Sequence, residues 1–353
     1  MNTFAEQLRP FFPYFPSGLI SARCLDQIES VTQHLPEELG VGPFMFECGL
    51  DARPAADFSV AVFASRGDHA ALSRPGTMVT PDTADWSRIR RYARSWADPS
   101  SALSGAVDEA WLEFDVGLTG AAPCTTPSVF VGLDGPASDL SREHIIRVAR
   151  ECLVLLQGRP LPPGTLANLT ECFALLPTDA RILYGGAMLS RRSDAVRVVT
   201  CGMDLADMVR LLQQLGLRRA EEHLVRLADT ARMADELWLA IDVNVEGVGP
   251  RVGLDCYCYC DRDGPNGRTW AGLLDHLVDQ GVCTGAKRDA LLDATDMSYR
   301  TFDKGWPERL RRMAMILGPN GFDRMALYVH HIKVITGPGE RLEAKGYLCG
   351  AYR

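Results

Sequence analysis

The residues best suited to chemistry are charged and aromatic side chains that recur at every second position in short runs. Between Leu237 and Asp261 the sequence reads LWLAIDVNVEGVGPRVGLDCYCYCD. Trp238, Asp242 and Asn244 share one parity of its first arm, and Arg251, Asp255, Tyr257 and Tyr259 share one parity of its second. Guanidinium and ammonium groups make strong hydrogen bonds to anions, aromatic faces stabilise cations, and carboxylates accept or donate protons. Side chains alternate between the faces of a strand, so a period of two gathers these groups on one surface. The other parity holds Leu237, Leu239, Ile241 and Val243, then Val252, Leu254, Cys256, Cys258 and Cys260. The stretch therefore reads as two strands joined by a turn at Glu246 to Pro250. One face requires an apolar layer, and the other suits a wet or ligand-bearing interior.

Four further stretches share this form. They span about 44–65, 110–134, 182–203 and 326–352, against 237–261 for the first. In the second, WLEFDV matches WLAIDV and PSVFVGLD matches PRVGLD in the same order, which marks an internal repeat. The third turns at Arg191 to Asp194 and the last at Gly337 to Gly339. Helical spacing falls between them: Cys24 to Leu35, Thr83 to Trp96, a Ser141-capped run, Leu166 to Leu176, Leu205 to Leu215 after Asp204, and Ala220 to Met233. Three more lie at Trp270 to Gln280, Ala286 to Ala294 and Pro307 to Leu317. Ten antiparallel strands with one polar face tend to curl or close. The expected fold is α+β, a single domain over 1–353. Its ten-stranded antiparallel barrel is built from five ααββ repeats, with helices outside and a polar lumen.

Composition narrows the class. The chain has 353 residues, 46% hydrophobic and 23% charged, enough for a sizeable core. A net charge of -8 argues against nucleic-acid binding through a basic surface, and no apolar run approaches the roughly 20 residues of a membrane span. The proline-broken Phe11 to Pro16 stretch is not a secretory signal. Eleven cysteines without a CxxC pair fit buried thiols in a reducing cytoplasm. Same-face thiols at Cys256, Cys258 and Cys260 lie about 7 Å apart along a strand, too far to share one zinc. Adjacent His330 and His331 point to opposite faces by the same alternation, leaving His331 for function. Arg191, Arg192 and Asp194 are expected to be solvated in their turn. Asp115 and Asp242 hold equivalent repeat positions and are expected to bond turn amides.

Repeated helix pairs and hairpins making a ten-stranded barrel around a solvent-filled centre resemble the ABBA-fold aromatic prenyltransferases, most closely the indole type. Asp51-Ala-Arg-Pro54-Ala-Ala-Asp57-Phe58-Ser59 is similar to the family's D-x-x-P-x-E-F-S stretch, with Asp57 in place of the glutamate that binds an indole N–H. Lys345-Gly-Tyr347 resembles its K-x-Y strand motif. The chain departs from the pattern at Phe130 and Gly253, where members usually carry lysine.

The resemblance implies an isoprenoid diphosphate and an aromatic or peptide acceptor as partners. It implies diphosphate contacts from Arg197, Arg251, Lys333, Lys345, Tyr257 and Tyr347, and an acid–base role for Asp57 or Glu113. Trp111, Trp238, Tyr259 and His331 would meet the acceptor, with Trp238, Tyr257, Tyr259 and Tyr347 shielding an allyl cation. No metal site is required if the cations suffice, and no DDxxD-type motif is present, which leaves Mg2+ an optional companion of the diphosphate. Two alternatives stand beside prenyl transfer. One is a barrel enzyme of natural-product or peptide modification without diphosphate chemistry, and the other a non-catalytic ligand- or peptide-binding protein.

Overall fold

The structure, a computed structural model, describes residues 3–74, 83–116, 124–134, 141–217, 222, 225, 227–259, 269–294, 297–300, 311, 324–337 and 342–352. Strands follow in antiparallel pairs: β1 (Phe44–Gly49) with β2 (Ala56–Phe63), β3 (Glu109–Phe114) with β4 (Ser128–Gly132), and β5 (Arg181–Ala187) with β6 (Val196–Cys201). Next come β7 (Glu236–Asn244) with β8 (Gly247–Tyr257) and, after the short β9 (Met297–Arg300), β10 (Arg324–Thr336) with β11 (Glu343–Tyr352). Each pair bonds to the next, and β11 pairs with β1 from Phe44↔Gly350 to Gly49↔Lys345. Ten strands thus close into an antiparallel barrel. The eleventh, β9, was not expected; it pairs with the Arg324 to Leu327 end of β10, beyond the stretch that β8 covers.

Helices fill the intervals. They are α1 (Phe4–Leu8) and α2 (Ala22–Thr32), α3 (Asp68–Ser73) and α4 (Ala84–Ala97), and α5 (Arg142–Gln157) and α6 (Pro163–Leu175). Then follow α7 (Leu205–Gln214) and α8 (Ala228–Arg232), and α9 (Trp270–Asp279) and α10 (Gly285–Asp293). Their starts are written locally. Ser21, Thr83, Ser141, Asp204, Thr269 and Thr284 each accept the amide N–H three residues on, satisfying one orphan donor of the first turn. Pro opens α6, where its missing N–H has no consequence.

One parity of each strand and the inner stripes of the helices form a continuous apolar layer outside the barrel. Phe44 is fully buried there, edge-on to Phe4 at 6.2 Å and Phe11 at 4.8 Å. Its ring lies across Gly350 of the neighbouring strand, where an added Cβ would sit 2.3 Å from a ring carbon. The aromatic N-terminal segment is therefore a core element that caps the β1–β11 seam. Cys256 and Cys258 are buried in this layer, while Cys260 lies outside the described residues.

The central turn is tighter than the sequence implies. β7 runs to Asn244 and β8 starts at Gly247, whose φ of +115° only glycine adopts easily, and a register shift between Ile241 and Val243 absorbs the difference. The stretch expected as a helix from Ala220 is described as α8 only from Ala228. The helix expected over Pro307 to Leu317, residues 117–123 of the second turn and residues 338–340 of the last lie outside the described residues, Arg311 apart. Among the described residues no helix is long and apolar enough to cross a membrane.

Phe44→Ala should cost about 3–5 kcal/mol of unfolding free energy. Urea denaturation followed by tryptophan fluorescence would check it, and a loss below 1 kcal/mol would contradict the seam role.

Candidate functional site

The other strand parity faces the lumen and divides it. An aromatic chamber of about 330 Å³ is lined by Met45, Phe63, Trp111, Phe130, Tyr184, Trp238, Tyr257, Tyr328, His330 and His331. A charged chamber of about 550 Å³ is lined by Arg53, Arg191, Arg251 and Lys345 with Glu47, Asp242 and Glu343. Arg197, Lys333 and Tyr347 line both and mark the junction. A ribbon of rings runs along the aromatic wall. Trp238 and Tyr257 lie 4.3 Å apart, Tyr257 and His331 stack at 5.2 Å, and His331 and Tyr347 stack at 3.9 Å. The Lys333 ammonium stands 6.0 Å over the Tyr347 ring.

Each cation lining the charged chamber among the described residues has a carboxylate partner. Arg197 grips Asp242 through two bonds of 2.8 and 3.0 Å. Arg251 reaches Glu343 at 2.6 Å, and Lys333 reaches Asp255 at 3.0 Å. Lys345 and the Tyr347 hydroxyl both donate to Glu47. Arg191 bridges Glu113 at 2.9 Å and Asp115 at 2.8 Å, and Arg53 holds Asp51 at 2.7 Å. Burial alone would raise the Glu47 carboxyl, but Lys345 and Tyr347 outweigh it and hold the group down at about 2. Glu113 goes the other way. Burial first, then the nearby Glu47 charge, push it up to about 7 despite Arg191. Asp255 is raised by burial against the pull of Lys333. Among the described residues no cluster of His, Cys, Asp and Glu could hold a metal ion.

Most residues singled out from the sequence are brought together here: Trp111, Glu113, Arg197, Trp238, Arg251, Tyr257, His331, Lys333, Lys345 and Tyr347 line one chamber or both. Tyr257 lies on the aromatic side, away from the charged chamber. Two lie elsewhere. Asp57 is buried and accepts the Val116 N–H at 2.8 Å; it borders a small cleft of about 60 Å³ with Asp51 and Arg53. Tyr259 is 60% exposed beyond the end of β8, where its hydroxyl donates to Glu236.

Two readings of the sequence are corrected. Asp115 and Asp242 pair with arginines; Asp115 also accepts the Ser190 hydroxyl at 2.5 Å. Arg191 is exposed in its turn, as expected, and from there its side chain also borders the charged chamber, where the half-buried Glu113 and Asp115 accept its ion pairs. His330 and His331 both face the aromatic chamber. A bulge between Val329 and His331 inserts an extra residue and breaks the alternation, leaving the two Nδ1 atoms 2.9 Å apart. No sequence signal foretold the bulge.

No protein-family model matches the sequence, and no curated protein does. Solved structures do match. The apo form of the prenyltransferase PriB superposes with a TM-score of 0.54 over 99% of this chain and 96% of its own, at 14% identity. AnaPT from Neosartorya fischeri gives 0.55 over 98% and 91%, at 12% identity. The PriB ternary complex with L-tryptophan and dimethylallyl thiolodiphosphate gives 0.51 over 98% and 94%, at 14% identity. The chain has the ABBA barrel fold.

Within this ABBA barrel the two departures at the expected lysine positions have a steric meaning. A Cβ on Gly253 would lie 2.7 Å from Lys333 Cε, so the glycine makes room for a lysine from the adjacent strand. A Cβ on Gly186 would lie 2.7 Å from the Phe130 ring, which occupies that space and keeps the aromatic chamber apolar.

The Glu113 carboxyl should titrate near neutrality. Glu47→Gln should lower its midpoint, since the variant removes a repelling charge and frees Lys345. Carboxyl ¹³C NMR would check both, and an unmoved midpoint would refute the coupling. Because the folded pKa is raised, the unfolded chain releases this proton first. The contribution of Glu113 to stability is therefore greatest below about 4.3 and declines as pH rises to about 7.

Proposed function

We propose that this chain transfers a prenyl group from an isoprenoid diphosphate to an aromatic acceptor inside the barrel. The observation that carries this reading is the joined pair of chambers, one aromatic and one cationic, meeting at Arg197, Lys333 and Tyr347. Leaving-group stabilisation needs fixed positive charge where the diphosphate departs, and Arg197, Arg251, Lys333 and Lys345 supply it with the Tyr347 hydroxyl. The allyl cation left behind needs ring faces and little water. The Trp238–Tyr257–His331–Tyr347 ribbon supplies those faces on the acceptor's side.

Glu113 faces the aromatic chamber and is poised between its charged and neutral forms, suited to accept an N–H or O–H from the acceptor. Trp111 lies beside it in the same wall. Asp57 already holds a backbone amide and is the weaker candidate. The fold neighbours favour the same reading, since one of them is a prenyltransferase complexed with L-tryptophan and a dimethylallyl diphosphate analogue. The role needs no metal site, and Mg2+ enters only as a companion of the diphosphate.

Calorimetric titration of dimethylallyl and geranyl thiolodiphosphate, with and without Mg2+, tests the reading. Micromolar binding is expected, weakened about tenfold or more in Arg251→Ala and Lys345→Ala. Glu343→Gln should bind a few-fold tighter, because it releases Arg251 from its exposed partner. No binding of either analogue would sink prenyl transfer and favour a barrel acting without diphosphate.

A further inference from the structure

Strand β10 is bulged so that both of its paired histidines enter the aromatic chamber, His331 within the ring ribbon and His330 outside it. Their Nδ1 atoms, 2.9 Å apart, can share only one proton when both rings are neutral. Burial keeps them neutral; it lowers the His330 value to about 4 and holds His331 well below its ordinary value, with His330 and Lys333 adding to the effect. The direction of the shared bond follows from the far side of His331. Its Nε2 lies 4.0 Å from Asp255 Oδ1, and that carboxylate favours an N–H there. His331 Nδ1 is then the acceptor and His330 Nδ1 the donor. His330 Nε2 is left with a lone pair. Stacking on Tyr347 at 3.9 Å and on Tyr257 at 5.2 Å holds the His331 ring in plane for both contacts. Asp255 is 4% exposed and anchored by Lys333 at the chamber junction.

We propose that His330 is the proton acceptor of the aromatic chamber and that His331 relays the proton to Asp255. The role rests on the prenyl-transfer reading. When the allylic carbon–oxygen bond breaks, the diphosphate leaves with its electron pair. The acceptor atom then bonds the allyl carbon with electrons of its ring, and the adduct carries one surplus proton and a positive charge. His330 Nε2 takes that proton, and the electrons of the broken bond restore the ring. The Nδ1–H of His330 passes to His331 Nδ1, and the Nε2–H of His331 passes to Asp255. The last gap is about 1 Å beyond hydrogen-bonding range, and such contacts commonly tighten once substrate is bound. The proton thus travels from the apolar chamber to the junction, leaving neutral rings behind. Glu113 has a separate task, holding the acceptor before the bond forms.

Two measurements on the full chain test the relay. Long-range ¹H–¹⁵N spectra of histidine-labelled protein should show His330 protonated at Nδ1 and His331 at Nε2. His330→Ala should bind dimethylallyl thiolodiphosphate as the unaltered protein does, with KM for the acceptor little changed. Its kcat should fall roughly 100-fold or more, and added imidazole should restore part of it by entering the vacated space. Turnover within threefold of the unaltered protein, or a loss that imidazole does not relieve, would overturn the role of His330. The reversed tautomers would overturn the relay whatever the turnover. An unaltered protein that shows these tautomers but prenylates no aromatic acceptor would sink the prenyl-transfer reading and with it the use of the relay, while leaving the histidine geometry established.

Discussion

Closing a ten-stranded sheet on itself sends every second side chain into an enclosed space, and that geometry imposes the charge arrangement inside. A buried charge without a partner is expensive. The lumen meets this constraint with cross-strand and turn-to-strand pairs: Arg197 with Asp242, Lys333 with Asp255, Lys345 with Glu47, Arg251 with Glu343, and Arg191 with Glu113 and Asp115. Register decides several of these. Arg197 stands opposite Asp242 across β6 and β7, and Lys333 opposite Asp255 across β8 and β10. The pairs join strands that are distant in sequence and help to specify the pairing that closes the barrel.

The same economy shapes ligand binding. An anion entering the charged chamber competes with carboxylates already in place, so its affinity is a difference between two sets of ion pairs. Pairs with both members half exposed, such as Arg251 with Glu343, are weakly held and are the readiest to exchange. Buried pairs such as Lys345 with Glu47 are firmer and act as fixed charge. Beside them the rings of Trp238, Tyr257, His331 and Tyr347 form a continuous aromatic wall. The rings are concentrated in one chamber, which also carries Glu113 and Asp255, and Arg197, Lys333 and Tyr347 stand where it meets the charged chamber.

The alternation in Leu237 to Asp261 was legible because a period of two needs no tertiary information, and its echo in the second hairpin carried the barrel with it. Inward positions such as Glu113, Arg197, Lys333 and Lys345 could be read by counting from either arm. Counting fails wherever a strand gains a residue. The bulge at His330 turned a residue expected outward into the lumen, and no local pattern announces it. Turn residues are equally silent. Arg191 is solvated as its turn suggests, but its ion pairs could not be read, because its two acids lie some 76 to 78 residues earlier in the chain.

Sequence by itself determined which residues alternate, where the capped helices after Thr83, Ser141 and Asp204 begin and that the polar parity would need enclosing, though not the short helices at Phe4–Leu8 and Asp68–Ser73. Each of those properties is set by neighbours a few residues apart. Tertiary structure alone decided that Gly253 leaves space for Lys333, that Phe130 lies over Gly186, and that the lumen splits into an aromatic and a charged chamber. Those outcomes depend on which strand lies beside which and in what register. That in turn is settled only when β11 meets β1 and the sheet closes.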